Sequence, residues 1–383
     1  MDLINDRIHL NSALLVAAFL AVLLLSSQSA SSMVSYVLCL AMLVRFKDWR
    51  DVFECPMVWP ILAVLLYLFS TSFWSDGLTP REVFSQAVRV LLTFSFVVAF
   101  AECQLRGVLQ QWLFTALAWA GACVALVCIA LFLYDPPSDG RLNGLGQLDT
   151  QVVAGLVFGF AALAVLHTSF TGNSRSIWLT VLLLVPLVAA VWLTGSRNAI
   201  LSLLLGFSVL AVAHLRSTVR SFVLILIPIV IVVGAIIAVG WMVPELREWF
   251  FPRGDSFRLV IWDQTLQRLQ ESPWFGLGIL SSDDLLVNGA QFHHPHNLYL
   301  SVAYQGGLVG LLLFCWLLIR VVRELLASFG QVDAKFGLGV LGLALPAYAL
   351  DGHELLDKIG DTWFLVWLPV AIGLGMRWHP SYR

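Results

Sequence analysis

The chain has 383 residues, of which 59% are hydrophobic and only 12% are charged, and its mean hydropathy is +0.86. Soluble domains carry about 25% charged residues, so this composition excludes a soluble enzyme. Apolar runs of about 17–25 residues without alternation at period two predict an all-α integral membrane protein and exclude a β-barrel. The net charge of −2 indicates no class of partner, because in membrane proteins the distribution of charge carries that information.

We predict about twelve transmembrane helices from the apolar runs. They lie at residues 8–26, 30–45, 57–74, 83–101, 109–133, 150–168, 177–194, 197–214, 221–243, 297–320, 334–351 and 362–377. No cleavable signal is expected, since the first apolar run continues directly into the second. None of the six cysteines lies in the long hydrophilic part of the chain, so no disulfide framework is predicted.

The basic residues predict how the spans are oriented. One set of loops carries most of them: Arg7, Arg45, Lys47, Arg50, Arg106, Arg175, Arg216, Arg220, Arg320, Arg323, Lys335, Arg377 and Arg383. The opposite short loops hold only Arg81, Arg141, Arg197 and Lys358. By the positive-inside rule the first set is cytoplasmic, which places both termini inside the cell.

One long hydrophilic segment, residues 244–296, divides the chain and is predicted to lie on the outer face. Residues 1–243 would form a transmembrane bundle of about nine spans, and residues 297–383 about three more. Within the segment, Asp255–Glu271 predicts an amphipathic helix that ends before Pro273. Its apolar positions are Phe257, Ile261, Leu266 and Leu269.

The junction Thr194-Gly195-Ser196-Arg197 joins two apolar spans with almost no loop. An arginine at a membrane boundary is costly unless it snorkels or is paired. One interpretation is a guanidinium held for a phosphate, with Ser196 capping a helix whose positive end adds to the site. A snorkelling interfacial arginine is the alternative, and this segment alone leaves both open.

Arg258 and Trp262 lie four residues apart on the predicted amphipathic helix. Taken alone, Arg258 is more typical of a solvated charge than of a binding site. The segment Pro273–Gly278 follows and is typical of a turn that returns to the membrane, with its aromatic side chains anchoring at the interface.

His293, His294 and His296 lie immediately before the apolar run that begins at Asn297. A neutral imidazole can act as a general base near neutral pH, which suits removal of a proton from a sugar hydroxyl. Polar residues that cap a helix are the structural alternative. A zinc site is disfavoured, because no cysteine or nearby carboxylate completes a ligand set.

The predicted last outer loop is rich in carboxylates and could orient a histidine or bind acceptor sugars, although a solvated turn is the favoured interpretation. Its polar residues are Asp351, His353, Glu354, Asp357 and Asp361. Arg89, inside a predicted span, is a candidate for charge pairing. The chain has no phosphate-binding loop of the ATPase type, so no ATP-driven transport is indicated, and it has no Gly-x-Ser-x-Gly elbow. No carboxylate pair in the predicted outer loops has the spacing of a cation-binding glycosyltransferase, so we predict no metal and no cofactor.

Taken in order, these elements resemble the O-antigen ligase and polymerase superfamily of bacterial envelope proteins. Thr194–Arg197 is similar to the family's Thr-x-Ser-Arg element, and Arg258 followed by Pro273–Gly278 to its Pro-x-x-Gly-x-Gly segment. His296-Asn297, nine residues, Gly307, two residues and Gly310 match the ligase type of pattern. Ser72–Ser75 is a weaker match, and Asn198 departs from the pattern, where glycine is frequent.

The resemblance implies a glycosyltransferase that resembles the lipopolysaccharide O-antigen ligases. Such an enzyme moves a glycan from undecaprenyl diphosphate to a lipid A–core acceptor, at the periplasmic face of the bacterial inner membrane, with inversion. His296 would be the general base, and Arg197 and Arg258 would bind the diphosphate as further catalytic residues. Ser196, Trp262, Asn297 and His294 would complete the substrate-binding set.

Three alternatives remain at this stage. Two belong to the same superfamily, a polysaccharide polymerase and a protein O-oligosaccharyltransferase. The third is a transporter, for which charged residues at mid-membrane and matching halves with broken helices would be expected. The sequence has few such charges and no visible internal symmetry.

Overall fold

The structure is a computed structural model, and it describes residues 2–46, 48–107, 112–171, 177–242, 257–281, 285–287, 290–292, 294–352 and 354–378. The described chain is almost entirely helical. The helices are α1 (Asp2–Leu24), α2 (Gln28–Arg45), α3 (Trp49–Glu54), α4 (Val58–Ser70), α5 (Pro80–Leu105), α6 (Phe114–Tyr134), α7 (Gln151–Phe170), α8 (Ile177–Leu193), α9 (Arg197–Leu215), α10 (Val219–Met242), α11 (Arg258–Leu269), α12 (Leu298–Ala327), α13 (Val332–Ala349) and α14 (Leu368–Arg377). A 3₁₀ turn at Thr71–Trp74 extends α4, and a π turn at Trp363–Trp367 leads into α14. Strands β1 (Leu285–Val287) and β2 (Ala290–Phe292) form a short antiparallel hairpin.

The helical membrane-protein class predicted from composition is confirmed. Among the described residues, six helices are long and apolar enough to cross a bilayer: α5, α6, α7, α9, α12 and α13. The six other predicted spans coincide with shorter apolar helices. The count of twelve crossings and the sidedness of the loops stay predictions.

Helices α9 and α13 pack antiparallel and closely, because glycines face each other along their contact. A Cβ added at Gly206 would lie 3.2 Å from the carbonyl oxygen of Gly339, and one at Gly342 would lie 2.8 Å from Val209. Small residues allow this approach between membrane helices, where apolar side chains gain little from leaving lipid. The packing brings Arg197, the first residue of α9, to the end of α13 that precedes Asp351.

Helix α12 is broken at Gly307, whose φ of 62° and ψ of −163° lie outside the helical region. The segment Pro273–Gly278 fills the break. The N–H groups of Leu277 and Gly278 donate to the carbonyls of Tyr304 and Gln305, at 2.8 and 3.0 Å. In return, the N–H groups of Leu308 and Val309 donate to the carbonyls of Pro273 and Trp274, at 2.9 and 3.1 Å. The backbone groups that the break releases are therefore satisfied, as membrane depth requires.

The amphipathic helix predicted at Asp255–Glu271 is present as α11, Arg258–Leu269; positions 255 and 256 lie outside the described residues. Ile261 is fully buried and forms a small cluster with Trp262 and Phe292. Phe257 and Leu266, which the apolar spacing placed on the same face, are about half exposed instead. Leu266 borders a groove, described below, that accounts for its exposure.

Gly307→Ala is expected to destabilise the protein by at least about 2 kcal/mol, because this backbone conformation is accessible almost only to glycine. The added Cβ would also lie 2.3 Å from the carbonyl of Trp274. The measurement is thermal unfolding of the purified protein in detergent. Gly330→Ala is the control, since a Cβ there meets no atom within 4 Å; equal melting temperatures for the two variants would contradict the prediction.

Candidate functional site

His296 lies in the loop between β2 and α12, with its ring beside a carboxylate. Its Nδ1 lies 3.1 Å from Asp351 Oδ1, and the two side chains are 32% and 15% exposed. His296 also has a φ of 50°, in the left-handed region that residues other than glycine rarely adopt. The site therefore holds an accessible imidazole against a largely buried carboxylate.

The ionisation of Asp351 follows from this contact. Burial raises the pKa of its carboxyl, but the hydrogen bond and the charge of His296, helped by the N–H of Gly352, outweigh burial. The net pKa of Asp351 is lower than its ordinary value, so the group is a carboxylate at neutral pH. The interactions that lower the pKa of Asp351 also stabilise the folded protein, and this stabilisation is complete above the pKa of the unfolded state. It is lost as the pH falls through the pKa of the folded state.

The backbone on both sides of His296 is fixed. Asn297 caps α12, its side-chain oxygen accepting the N–H of Leu300 at 3.0 Å. The N–H of Leu298 donates to the carbonyl of Asp351 at 3.2 Å. Within the loop, the N–H of His296 donates to His294 Nδ1 at 3.3 Å, and the two rings lie 4.1 Å apart between centroids. His294 and Asn297, which the sequence predicts in the substrate-binding set, thus flank His296 in the same loop.

Helix α11 joins the site through two side chains. Arg258 Nε donates to the carbonyl of Leu350 at 2.9 Å, and Trp262 Nε1 donates to the carbonyl of Pro295 at 2.9 Å. The first bond places Arg258 against Leu350, the residue before Asp351. The second attaches α11 to Pro295, the residue before His296. The structure therefore brings together three of the predicted site residues, Arg258, Trp262 and His296.

Arg197 reaches the same end of α13 from another side. Ser196 caps α9 as predicted, accepting the N–H of Ala199 at 3.3 Å, and Asn198 Nδ2 donates to the carbonyl of Ala347 at 3.0 Å. Arg197, the residue between them, is partly exposed at the first position of the helix. The helix dipole gives this end of α9 a partial positive charge that adds to that of the guanidinium.

Arg141 is a residue of this region that sequence reasoning placed on the outer face without a role. Its Nε donates to the carbonyl of Thr194 at 2.8 Å, and its side chain lies across Gly195, 3.2 Å from where a Cβ would be. A second guanidinium therefore lies beside the first turn of α9. The only indication of a role in the sequence was that Arg141 is one of few basic residues in the predicted short outer loops.

An apolar groove of about 490 Å³ opens beside the histidine loop. Its walls come from α11 and the first half of α12, and include Trp262, Leu266, Leu269, Leu300, Leu308 and Leu311. Asn297 and Tyr299 lie in the same lining, which makes the groove continuous with the residue that follows His296. A hydrocarbon chain bound in the groove would cover these exposed apolar side chains.

The acidic loop after α13 is not the solvated turn that the sequence favoured. Glu354 and Asp357 lie 2.8 and 3.3 Å from Nη1 of Arg89, and Asp361 accepts the hydroxyl of Tyr348 at 2.7 Å. Leu355, Leu356 and Ile359 of the same loop are buried, so the loop packs onto the bundle. The charge pairing proposed for Arg89 is confirmed. His293 and His353 lie outside the described residues.

The Arg89 cluster provides a stability test with a control in the same chain. Arg89→Met is expected to cost about 2 kcal/mol, because it leaves two partly buried carboxylates without their cation. Arg50→Met removes an exposed pair with Glu54, with side chains 89% and 60% exposed, and is expected to cost less than about 0.5 kcal/mol. Both are measured by thermal unfolding in detergent, and similar losses would contradict the role given to Arg89.

Comparison with known proteins matches this chain to one family. A family model described as O-Antigen ligase matches residues 182–315, a range that contains Arg197, Arg258 and His296. An O-antigen ligase of Pseudomonas aeruginosa is 28% identical over 346 residues, covering 84% of this chain and 78% of the relative. A putative polysaccharide ligase of Rickettsia felis is 26% identical over 226 residues, covering 52% of this chain and 53% of the relative.

The matched range contains most of the residues of the site, although Leu350 and Asp351 lie beyond it. The motifs by which the chain resembles this family lie within residues 194–310, and in the structure the same residues form the break in α12, the cap of α9 and the loop of His296. The family model and the Pseudomonas relative agree on the assignment. Both comparisons support the O-antigen ligase superfamily for this chain.

Proposed function

We propose that the protein transfers a glycan from undecaprenyl diphosphate to a lipid A–core acceptor, at the periplasmic face of the inner membrane. The observation that carries the proposal is the position of His296, an accessible imidazole paired with Asp351 and lying beside the Arg258 anchor. The relatives named O-antigen ligase and putative polysaccharide ligase support the reaction class. In this proposal residues 244–296 lie on the periplasmic side, between bundles formed by residues 1–243 and 297–383.

The chemistry is a direct displacement. His296 Nε2 accepts the proton of an acceptor hydroxyl, and the oxygen attacks the anomeric carbon of the donor. The bond from that carbon to the diphosphate oxygen breaks, and its electron pair leaves with undecaprenyl diphosphate. Arg197 and Arg258 neutralise the charge that develops on the leaving group. Attack opposite the leaving group inverts the anomeric centre, and the step requires neither metal nor nucleotide.

The remaining site residues fit supporting roles. Ser196 caps the helix that carries Arg197, and Asn297 caps the helix that follows His296. The indole of Trp262 lines the apolar groove. His294 supports His296 through its backbone N–H. We propose that the groove receives the first isoprene units of the donor, since it is apolar and adjoins the histidine loop.

A strain that lacks this protein distinguishes ligase from polymerase. Loss of all long glycan chains from lipopolysaccharide, with accumulation of lipid-linked polymer, is expected for a ligase. Retention of core plus one repeat would indicate a polymerase instead. The measurement is gel analysis of lipopolysaccharide, together with extraction of the lipid-linked fraction. An unchanged ladder would contradict the proposed acceptor and point to another glycan or to a protein.

His296→Ala is expected to lower transfer by about 10²–10⁴-fold, the range that a positioned general base contributes. Arg197→Ala and Arg258→Ala are expected to lower it by about 10²–10³-fold through lost charge stabilisation. Transfer is measured with purified protein, a lipid-linked donor and a core acceptor, with and without EDTA. The control is Arg81→Ala, which removes an exposed arginine far along the chain from the site. Near wild-type transfer by His296→Ala would exclude the assignment of the base.

A further inference from the structure

Trp262 joins the apolar groove to the histidine loop. Its ring lines the groove together with Leu266 and Leu300. Its Nε1 donates to the carbonyl of Pro295 at 2.9 Å, and Pro295 immediately precedes His296. The indole is one rigid plane with an apolar body and a polar N–H. Its position in the groove and its bond to the loop therefore cannot change independently.

The bond from Trp262 fixes one peptide unit of the loop. The peptide between Pro295 and His296 is held at both of its polar groups, since its oxygen accepts the indole N–H and its own N–H donates to His294 Nδ1 at 3.3 Å. Rotation of this unit changes the φ of His296, which is 50° and therefore strained. The indole bond is thus one of the contacts that set the direction of the His296 ring.

On its other side, Trp262 faces a groove formed between two helices. Helix α11 contacts α12 again through Arg268, whose guanidinium lies 5.4 Å from the centre of the Tyr304 ring. Leu266, which lies between Trp262 and Arg268 in the sequence, is 51% exposed, and Leu308 of the α12 wall is 39% exposed. A hydrocarbon chain would cover this apolar surface and contact both walls, including the indole.

We propose that Trp262 is a positioning residue that couples binding of the donor's isoprenoid chain in the groove to the conformation of His296. This deepens the proposed function and rests on it, since the groove must receive that chain and His296 must be the base. A chain in the groove packs against the indole and holds its N–H on Pro295. Binding energy from a part of the donor that does not react then orients the reacting group, so the chain raises kcat as well as affinity.

Donors of two chain lengths test this coupling in the wild-type protein. A glycan on farnesyl diphosphate extends hydrocarbon along the groove, whereas a glycan on dimethylallyl diphosphate is too short to do so. With the farnesyl donor, kcat for transfer to a core acceptor is expected to be about tenfold higher, the factor that one hydrogen bond can supply. Equal kcat values, with only KM differing between the donors, would overturn the proposal.

Trp262→Phe removes the indole N–H and keeps an aromatic ring in the groove wall. With the farnesyl donor, kcat is expected to fall about tenfold, to the value for the dimethylallyl donor, while KM changes little because the apolar contact remains. Trp59→Phe is the matched control, since it makes the same change at a ring that is 58% exposed at the start of α4. A Trp262→Phe enzyme whose kcat matches the control, or still depends on chain length, would contradict the coupling.

Histidine NMR detects the coupling without transfer. Farnesol, which carries neither glycan nor phosphate, is added to protein labelled with carbon-13 at histidine Cε1, and the His296 signal is assigned by its loss in His296→Gln. Farnesol is expected to shift this signal in the wild type and not in Trp262→Phe. An unshifted wild-type signal, or an equal shift in the variant, would overturn the proposal. If the signal shifts but the wild type shows no transfer, the proposed function fails while the coupling stands.

Discussion

The carbonyl groups at the end of α13 are the feature on which the site depends. The last carbonyls of a helix can accept donors from outside the helix. Here side chains of three other helices donate to carbonyls in or just after the last turns of α13: Asn198 of α9 to Ala347, Arg258 of α11 to Leu350, and Tyr299 of α12 to Leu345. The negative end of the helix dipole adds a preference for the cation Arg258. Bonds to one helix end thus connect residues that lie far apart in the chain.

The break at Gly307 is the second constraint, and it explains the spacing of the glycines that define the family pattern. Pro273–Gly278 can hydrogen-bond into the break only because backbones approach without side chains between them. A Cβ at Gly276 would lie 2.5 Å from the N of Gly307, and one at Gly278 would lie 2.1 Å from Ser75 Oγ. Ser75 Oγ in turn accepts the N–H of Leu280 at 3.0 Å. The weak Ser72–Ser75 match is therefore part of the same packing arrangement.

Features that depend on local composition could be predicted from the sequence. A helix lies at each apolar run, and Ser196 and the amphipathic α11 are where the pattern predicts them. The helices that carry Arg197 and Arg258 both contact the end of α13. The prediction that the acidic loop is a solvated turn was wrong, because a carboxylate-rich sequence indicates solvent exposure unless its cationic partner is known. Arg89 lies 265 residues from Glu354 and His296 lies 55 from Asp351. Such pairs follow from helix packing, which no local pattern encodes.

The conformation of His296 ties the two constraints together. A φ of 50° costs a residue other than glycine about 1–3 kcal/mol and persists only where the surroundings impose it. Here the residue before it is held by Trp262, the residue after it by the cap of α12, and its ring by Asp351. Relaxing φ would turn the ring away from the carboxylate and break the contact between α11 and the loop. The strained φ of His296 is thus maintained by contacts from α11 and α12. The break in α12 and the end of α13 determine how these two helices pack.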